Sequence, residues 1–129
     1  FNEAIRIYNK DPGAYYNRGL ANQELDNHLD AVDDFKKSLT MDGKMYKGNT
    51  HNNIGWSYSQ LEDYDNALIH FNKAIEIKPK EGMFYADKGD ALYELGKEEE
   101  ACSNYLKSFE LGYEEIKDYL NSSDGEWCK

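Results

Sequence analysis

Three segments of this chain, YYNRGLANQEL (15–25), HNNIGWSYSQL (51–61) and YADKGDALYEL (85–95), read as helix and yet carry a glycine near the middle. Glycine in a helix interior costs about 1 kcal/mol against alanine, so its place there needs a reason. Each glycine, Gly19, Gly55 and Gly89, is followed six residues later by a leucine, and the glycines are spaced by 36 and 34 residues. A constant internal pattern at a period in this range is the signature of one copied unit that stacks on its neighbours.

The copy extends downstream. Twelve residues beyond the glycines stand Ala31, Ala67 and Ala101, four further Phe35, Phe71 and Tyr105, and three further Ser38, Ala74 and Ser108. Phe1 and Ala4 stand 34 residues before Phe35 and Ser38, so the chain is expected to open inside an earlier copy. Each copy reads as two helices. In the middle one, Asn49 to Leu61 is followed by NALIHFNKAIEI (66–77), where Ala67, Phe71, Ala74 and Ile75 form one apolar stripe. Asp63 and Asn27 are expected N-caps, with Lys97 a poor one. Pro79 and Pro12 are expected to end second helices. A short helix pair cannot bury its own stripe, so pairs must stack, with small residues where backbones approach. Gly19, Gly55 and Gly89 are the expected contact points, matched by Ala31, Ala67 and Ala101.

The set Gly55, Ala67, Phe71, Ala74 and Pro79, with Tyr58 and Leu61, resembles the tetratricopeptide repeat, and the resemblance runs from Phe1 to about Leu111. Departures are His51 where the outer copies have Tyr15 and Tyr85, Arg18 and Lys88 in a usually apolar place, a late Pro12, and a two-residue insertion in DGKMYKGN (42–49). The resemblance implies one all-α domain over 1–129, a right-handed superhelix (α-solenoid) of antiparallel helix pairs. Residues 1–11 would be the second helix of a preceding repeat, with full repeats at 13–42, 48–79 and 82–111. A capping helix is expected at 113–121, with Tyr113, Ile116 and Leu120 on one face, and a fraying polar tail at 122–129.

Lys and Arg number 15 against 25 Asp and Glu, a net charge of −10. That argues against nucleic acid or an anionic membrane as partner, since both demand a basic footprint. A neutral or basic protein or peptide remains. No apolar run approaches membrane-spanning length. Cys102 and Cys128 form no CxxC and no framework, which points to a reducing, cytoplasmic setting with Cys102 as a small packing residue and Cys128 without a role. Opening at Phe1 in mid-helix, the sequence reads as part of a longer chain.

His28, His51 and His70 are far apart in sequence, and no HExxH, GxSxG or glycine-rich phosphate loop occurs. The acidic runs DAVDD (30–34) and EEE (98–100) lack the alternating ligands and turn glycine of a calcium loop. No catalytic residue, metal or cofactor is therefore expected, and His51 reads as a replacement packing aromatic.

Function is then expected on a surface. In such solenoids first helices line a concave groove. The period places Tyr16, Asn17, Leu20, Gln23 and Glu24 there, then Asn52, Asn53, Trp56, Ser59 and Gln60, then Ala86, Asp87, Asp90, Tyr93 and Glu94. Asn17, Asn53 and Asp87 form a ladder, one rung per repeat, similar to asparagine ladders with which some family members hold peptide backbone; the alternative is bonding between repeats. Trp56 is the expected anchor, because Ile54 and Tyr58 take the core-facing places beside it. The groove set holds no Lys or Arg, which works against a chaperone C-terminal carboxylate as ligand. The expected function is a non-catalytic protein-interaction module. Its rival is a structural or oligomerisation scaffold segment with the groove filled by its own chain.

Overall fold

Pro12 begins a helix, and whether it also ends a preceding one lies outside the described residues. It is the first residue of α1 (Pro12–Glu24), where its fixed φ suits the first turn and its missing N–H costs nothing. The computed structural model describes residues 12–41 and 47–128, so the expected half repeat at 1–11 lies outside the described residues. After α1 come α2 (His28–Thr40), α3 (Lys47–Gln60), α4 (Tyr64–Ile77), α5 (Gly82–Glu94), α6 (Glu98–Glu110), α7 (Glu114–Asn121) and a 3-10 helix, η1 (Ser123–Cys128). No strand occurs among the described residues. α1 packs on α2, α3 on α4 and α5 on α6, while α2 meets α3 and α4 meets α5 across the pair boundaries. This is an α-solenoid of three stacked helix pairs, with α7 packed against α6.

The helical glycines answer to space within each pair. A methyl group at Gly19 would lie 2.6 Å from Phe35, at Gly55 2.6 Å from Phe71, and at Gly89 2.7 Å from Tyr105. The neighbour is thus the aromatic ring of the facing helix in the same pair. At Gly55 the expected alanine also comes close, through the Ala67 carbonyl oxygen at 3.0 Å. Ala31, Ala67 and Ala101 are fully buried, as are Phe35 and Phe71.

Each first helix ends on a residue in the left-handed region: Asp26 (φ 60°), Glu62 (φ 61°) and Gly96 (φ 80°). Their amides and those of the next residues return to carbonyls three and five positions back, Glu62 to Ser59 and Asp63 to Tyr58 among them. This arrangement satisfies the last carbonyls of the helix and turns the chain into the second one. Asp63 then caps α4 by accepting from the amide of Asn66. Asn27 stands at the corresponding place but its side chain makes no cap bond, contrary to expectation.

Arg18, in a usually apolar place, is explained by Asp34 on α2. Its Nε donates to Oδ2 at 2.9 Å and its Nη2 to Oδ1 at 2.6 Å, and Asn22 adds a third bond to the same buried carboxylate. Three donors around one carboxylate make a buried charge tolerable.

Two expectations about the C-terminal residues are corrected. Cys102 on α6 and Cys128 on η1 form a disulfide, 26 residues apart. Residues 123–128 do not fray: they fold back, and Gly125 and Cys128 are buried. Sequence spacing could not reveal the pair, because their meeting depends on η1 folding back towards α6.

Candidate functional site: the first-helix cleft

The first helices of successive pairs open a cleft of about 620 Å³. Helix α1 contributes Leu20, Gln23 and Glu24, and α3 contributes Asn52, Asn53 and Trp56. From α5 come Met83 and Asp87, and the start of α7 closes the far wall with Tyr113 and Glu115. Seven of the expected groove residues, Leu20, Gln23, Glu24, Asn52, Asn53, Trp56 and Asp87, therefore share one cavity. Met83, Tyr113 and Glu115 were not anticipated. A signal existed for the last two: a helix that covers the final pair must bring its own first turn to the edge of the same face.

The remaining expected residues lie elsewhere. Asp90 lines a smaller cleft of about 230 Å³ between α5 and α7, with Ile116 and Tyr119. Tyr93 faces the Trp127 ring at 5.1 Å. Tyr16 uses its hydroxyl to accept from Asn53 Nδ2 at 3.2 Å. Asn17, Gln60 and Glu94 are exposed and outside the cleft wall.

Hydrogen bonds across the repeats decide how the polar rungs are used. Gln23 Nε2 donates to the Asn53 carbonyl at 3.1 Å and to Ser57 Oγ at 2.8 Å, tying α1 to α3. Asn52, almost wholly buried, donates to Asp87 Oδ2 at 3.1 Å, tying α3 to α5. Two of the three ladder rungs, Asn53 and Asp87, thus already bond to a neighbouring repeat, and Asn17 alone stands exposed. Inter-repeat bonding accounts for the series better than a free ladder does.

Trp56 remains 38% exposed, with its ring edge-on to His28 at 5.5 Å. It is supported on one side and open on the other, the arrangement of an anchor for an apolar side chain. Asp87 gives the cleft its electrostatic character. Burial pushes its carboxyl up to about 7; the Asn52 bond opposes that, and Asp90 and Glu115 add to it. The cleft thus holds an acid that ionises near neutrality beside Glu24 and Glu115. Among the described residues, no group of three or more His, Cys, Asp or Glu side chains could hold a metal ion. Nor is any described helix long and apolar enough to cross a membrane.

A tetratricopeptide repeat family model matches residues 11–80, and a second matches residues 84–111. The chain belongs to the tetratricopeptide repeat family. Among curated proteins it is similar to the photosystem I assembly protein Ycf3 of Prochlorococcus marinus, 28% identical over 137 residues, covering 92% of this chain and 79% of that protein. Among solved structures it resembles the crystal structure of MamA, with a TM-score of 0.77 and 24% identity over 88% of this chain; it spans 65% of that one. It also resembles the Yersinia enterocolitica type III secretion chaperone SycD in complex with a peptide of the translocator YopD, with a TM-score of 0.78, 21% identity, and about nine tenths of each chain covered (90% of both). In family terms, His51 takes the place of the first-helix aromatic, and Gly55 and Phe71 are the contact that repeats along the stack.

Proposed function

We propose that this chain is a non-catalytic interaction module that holds an extended peptide or partner segment, neutral or basic in charge, in the first-helix cleft. The observation that carries the reading is the half-open Trp56 ring on the wall of a cleft whose other end is acidic, through Asp87 and Glu115. An apolar side chain of the partner would rest on Trp56, and a Lys or Arg beside it would meet the carboxylates. The relatives support the reading in kind: one is named as an assembly protein, and one fold neighbour is seen with a bound peptide. The acidic cleft also disfavours a ligand that ends in carboxylates.

Peptides selected from a displayed random library against the chain supply the probe. The tightest is then titrated against wild type, Trp56→Ala and Glu115→Gln at two ionic strengths. Exposed charge pairs contribute about 0–1 kcal/mol each, whereas a central aromatic anchor contributes about 2 kcal/mol or more. Trp56→Ala should therefore cost more affinity than Glu115→Gln, and salt should weaken binding chiefly through slower association. Unchanged affinity in Trp56→Ala would remove the groove reading. The scaffold reading, with the groove face covered by the chain itself, keeps one observation in its favour, the contact of Trp127 with Tyr93.

A further inference from the structure

The segment η1 is short, polar and folded back on its own repeat, and it is held at two places. Trp127 lies against Tyr93 of α5 at 5.1 Å and edge-on to Tyr105 of α6 at 5.9 Å, and its Nε1 donates to the Tyr119 hydroxyl at 2.8 Å. The next residue, Cys128, is bonded to Cys102 of α6. At the other end, Gly125 packs so closely on the backbone of α7 that a side chain there would collide with the Tyr119 carbonyl and come within 2.7 Å of Leu120 Cα. A six-residue 3-10 segment has little stability of its own, so these anchors decide where it sits.

We propose that the Cys102–Cys128 disulfide is a reversible redox site, a latch that holds η1 over the C-terminal end of the first-helix face and releases it on reduction. Cys102, Cys128 and Trp127 border an open depression of about 420 Å³, together with Glu98, Glu99 and Leu106, so a small thiol reaches the bond from solvent. The co-reactant is a dithiol, and the carboxylates of Glu98 and Glu99 on the rim favour an uncharged one over an anionic one. Its thiolate attacks the sulfur of Cys102, the less buried of the two residues, and Cys128 leaves as thiolate and takes up a proton. The second thiol of the reagent then displaces Cys102 from the mixed disulfide. Two electrons pass, one disulfide is reduced to two thiols, and the dithiol is oxidised to its own disulfide.

Opening the latch leaves Trp127 held only by ring contacts and one hydrogen bond. Its departure frees the part of the Tyr93 ring that Trp127 lies against; Tyr93 is already 42% exposed with η1 in place. In an oxidising compartment Trp127 stays on the Tyr93 ring; in a reducing one that part of the ring is open. The inference does not rest on the binding role of Trp56 and stands or falls separately from it.

The test compares the chain oxidised with diamide and the same chain treated with the uncharged dithiol dithiothreitol, in a Trp56→Phe background so that Trp127 is the only tryptophan. Alkylation followed by mass measurement counts free thiols, acrylamide quenching reads exposure of Trp127, and far-ultraviolet circular dichroism reads the helices. The expected result is no free thiol when oxidised and two when reduced, with quenching raised severalfold and the helical signal kept. Cys128→Ser should show the raised quenching of the reduced chain in both conditions. Three outcomes would overturn the proposal: both thiols free after diamide; Trp127 equally shielded in the oxidised chain, the reduced chain and Cys128→Ser; or collapse of the helical signal on reduction, which would make the bond a structural staple.

Discussion

The Nδ1 atoms of His51 on α3 and His70 on α4 stand 3.1 Å apart, joining the two helices of the middle repeat through their rings. They occupy the places that Tyr15 and Asp34 hold in the first repeat. One ring donates and the other accepts, which requires the accepting ring to be neutral. Burial lowers both from the ordinary histidine range, and Lys73 adds to this in each case; for His70 the His51 ring contributes as well, and the result is about 4.

Acid should therefore weaken the middle repeat. As pH falls below the ordinary histidine value of about 6.5, the unfolded chain takes up protons that folded His70 refuses until about 4, so stability is lost across that window. Asp87, raised to about 7, works in the opposite direction over the same range, since lower pH favours its folded, protonated form. The effect is thus read as a difference. Relative to His70→Asn, the residue found at the same place of the third repeat (Asn104), wild type should lose of order 1 kcal/mol more between pH 7 and 5, screening at a half-exposed site included. Urea denaturation at both pH values checks this; equal slopes for the two proteins would mean that the pair does not hold its protons as described.

Arg18 and Asp34 should behave as a unit. Arg18→Leu leaves the buried Asp34 carboxylate with Asn22 as its remaining partner among the three donors, and should cost roughly 2–4 kcal/mol, below the figure for a fully buried pair because Arg18 is partly exposed. The double change Arg18→Leu with Asp34→Leu should recover most of that loss. Denaturation midpoints of the four proteins of the cycle measure it, and additive losses would show that the two residues act independently.

Gly55→Ala places a methyl group 2.6 Å from the Phe71 ring and 3.0 Å from the Ala67 carbonyl oxygen. The ring can shift only a little and the carbonyl less, so the substitution should destabilise by about 1–3 kcal/mol. Phe71→Leu in the same chain should relieve part of the strain, giving a double variant more stable than the sum of the two losses predicts. A simple sum would place the clash on the carbonyl instead.

Glu62 holds a left-handed conformation where the third repeat has Gly96. Glu62→Gly should stabilise by roughly 0.5 kcal/mol, since relief of the conformational cost exceeds the entropy that glycine adds to the unfolded chain. Gly96→Glu should destabilise by a similar or larger amount. Thermal unfolding distinguishes the two signs, and destabilisation by Glu62→Gly would show that the Glu62 side chain contributes more than its backbone costs.

The repeat, its two-helix unit and the need for a small residue at Gly19, Gly55 and Gly89 follow from the sequence alone. They depend on spacing along the chain; that the ring sixteen residues on, rather than the expected alanine twelve on, makes the closest approach was decided by the packing within each pair. Leu20, Trp56 and Asp87 were legible as one face for the same reason, since helical period and repeat period together fix which side chains point alike. Tertiary structure decided the rest. The His51–His70 contact spans 19 residues, the Arg18–Asp34 pair 16 and the Cys102–Cys128 bond 26, and none recurs in the other repeats. Such pairs leave no period to read, because they depend on where two helices bring particular side-chain ends. Met83 entered the cleft in the same way, through the stacking of α5 beside α3. Whether Asn53 and Asp87 were open to a ligand or bonded to Tyr16 and Asn52 was settled by distances of a few ångströms between repeats, which composition and spacing do not encode.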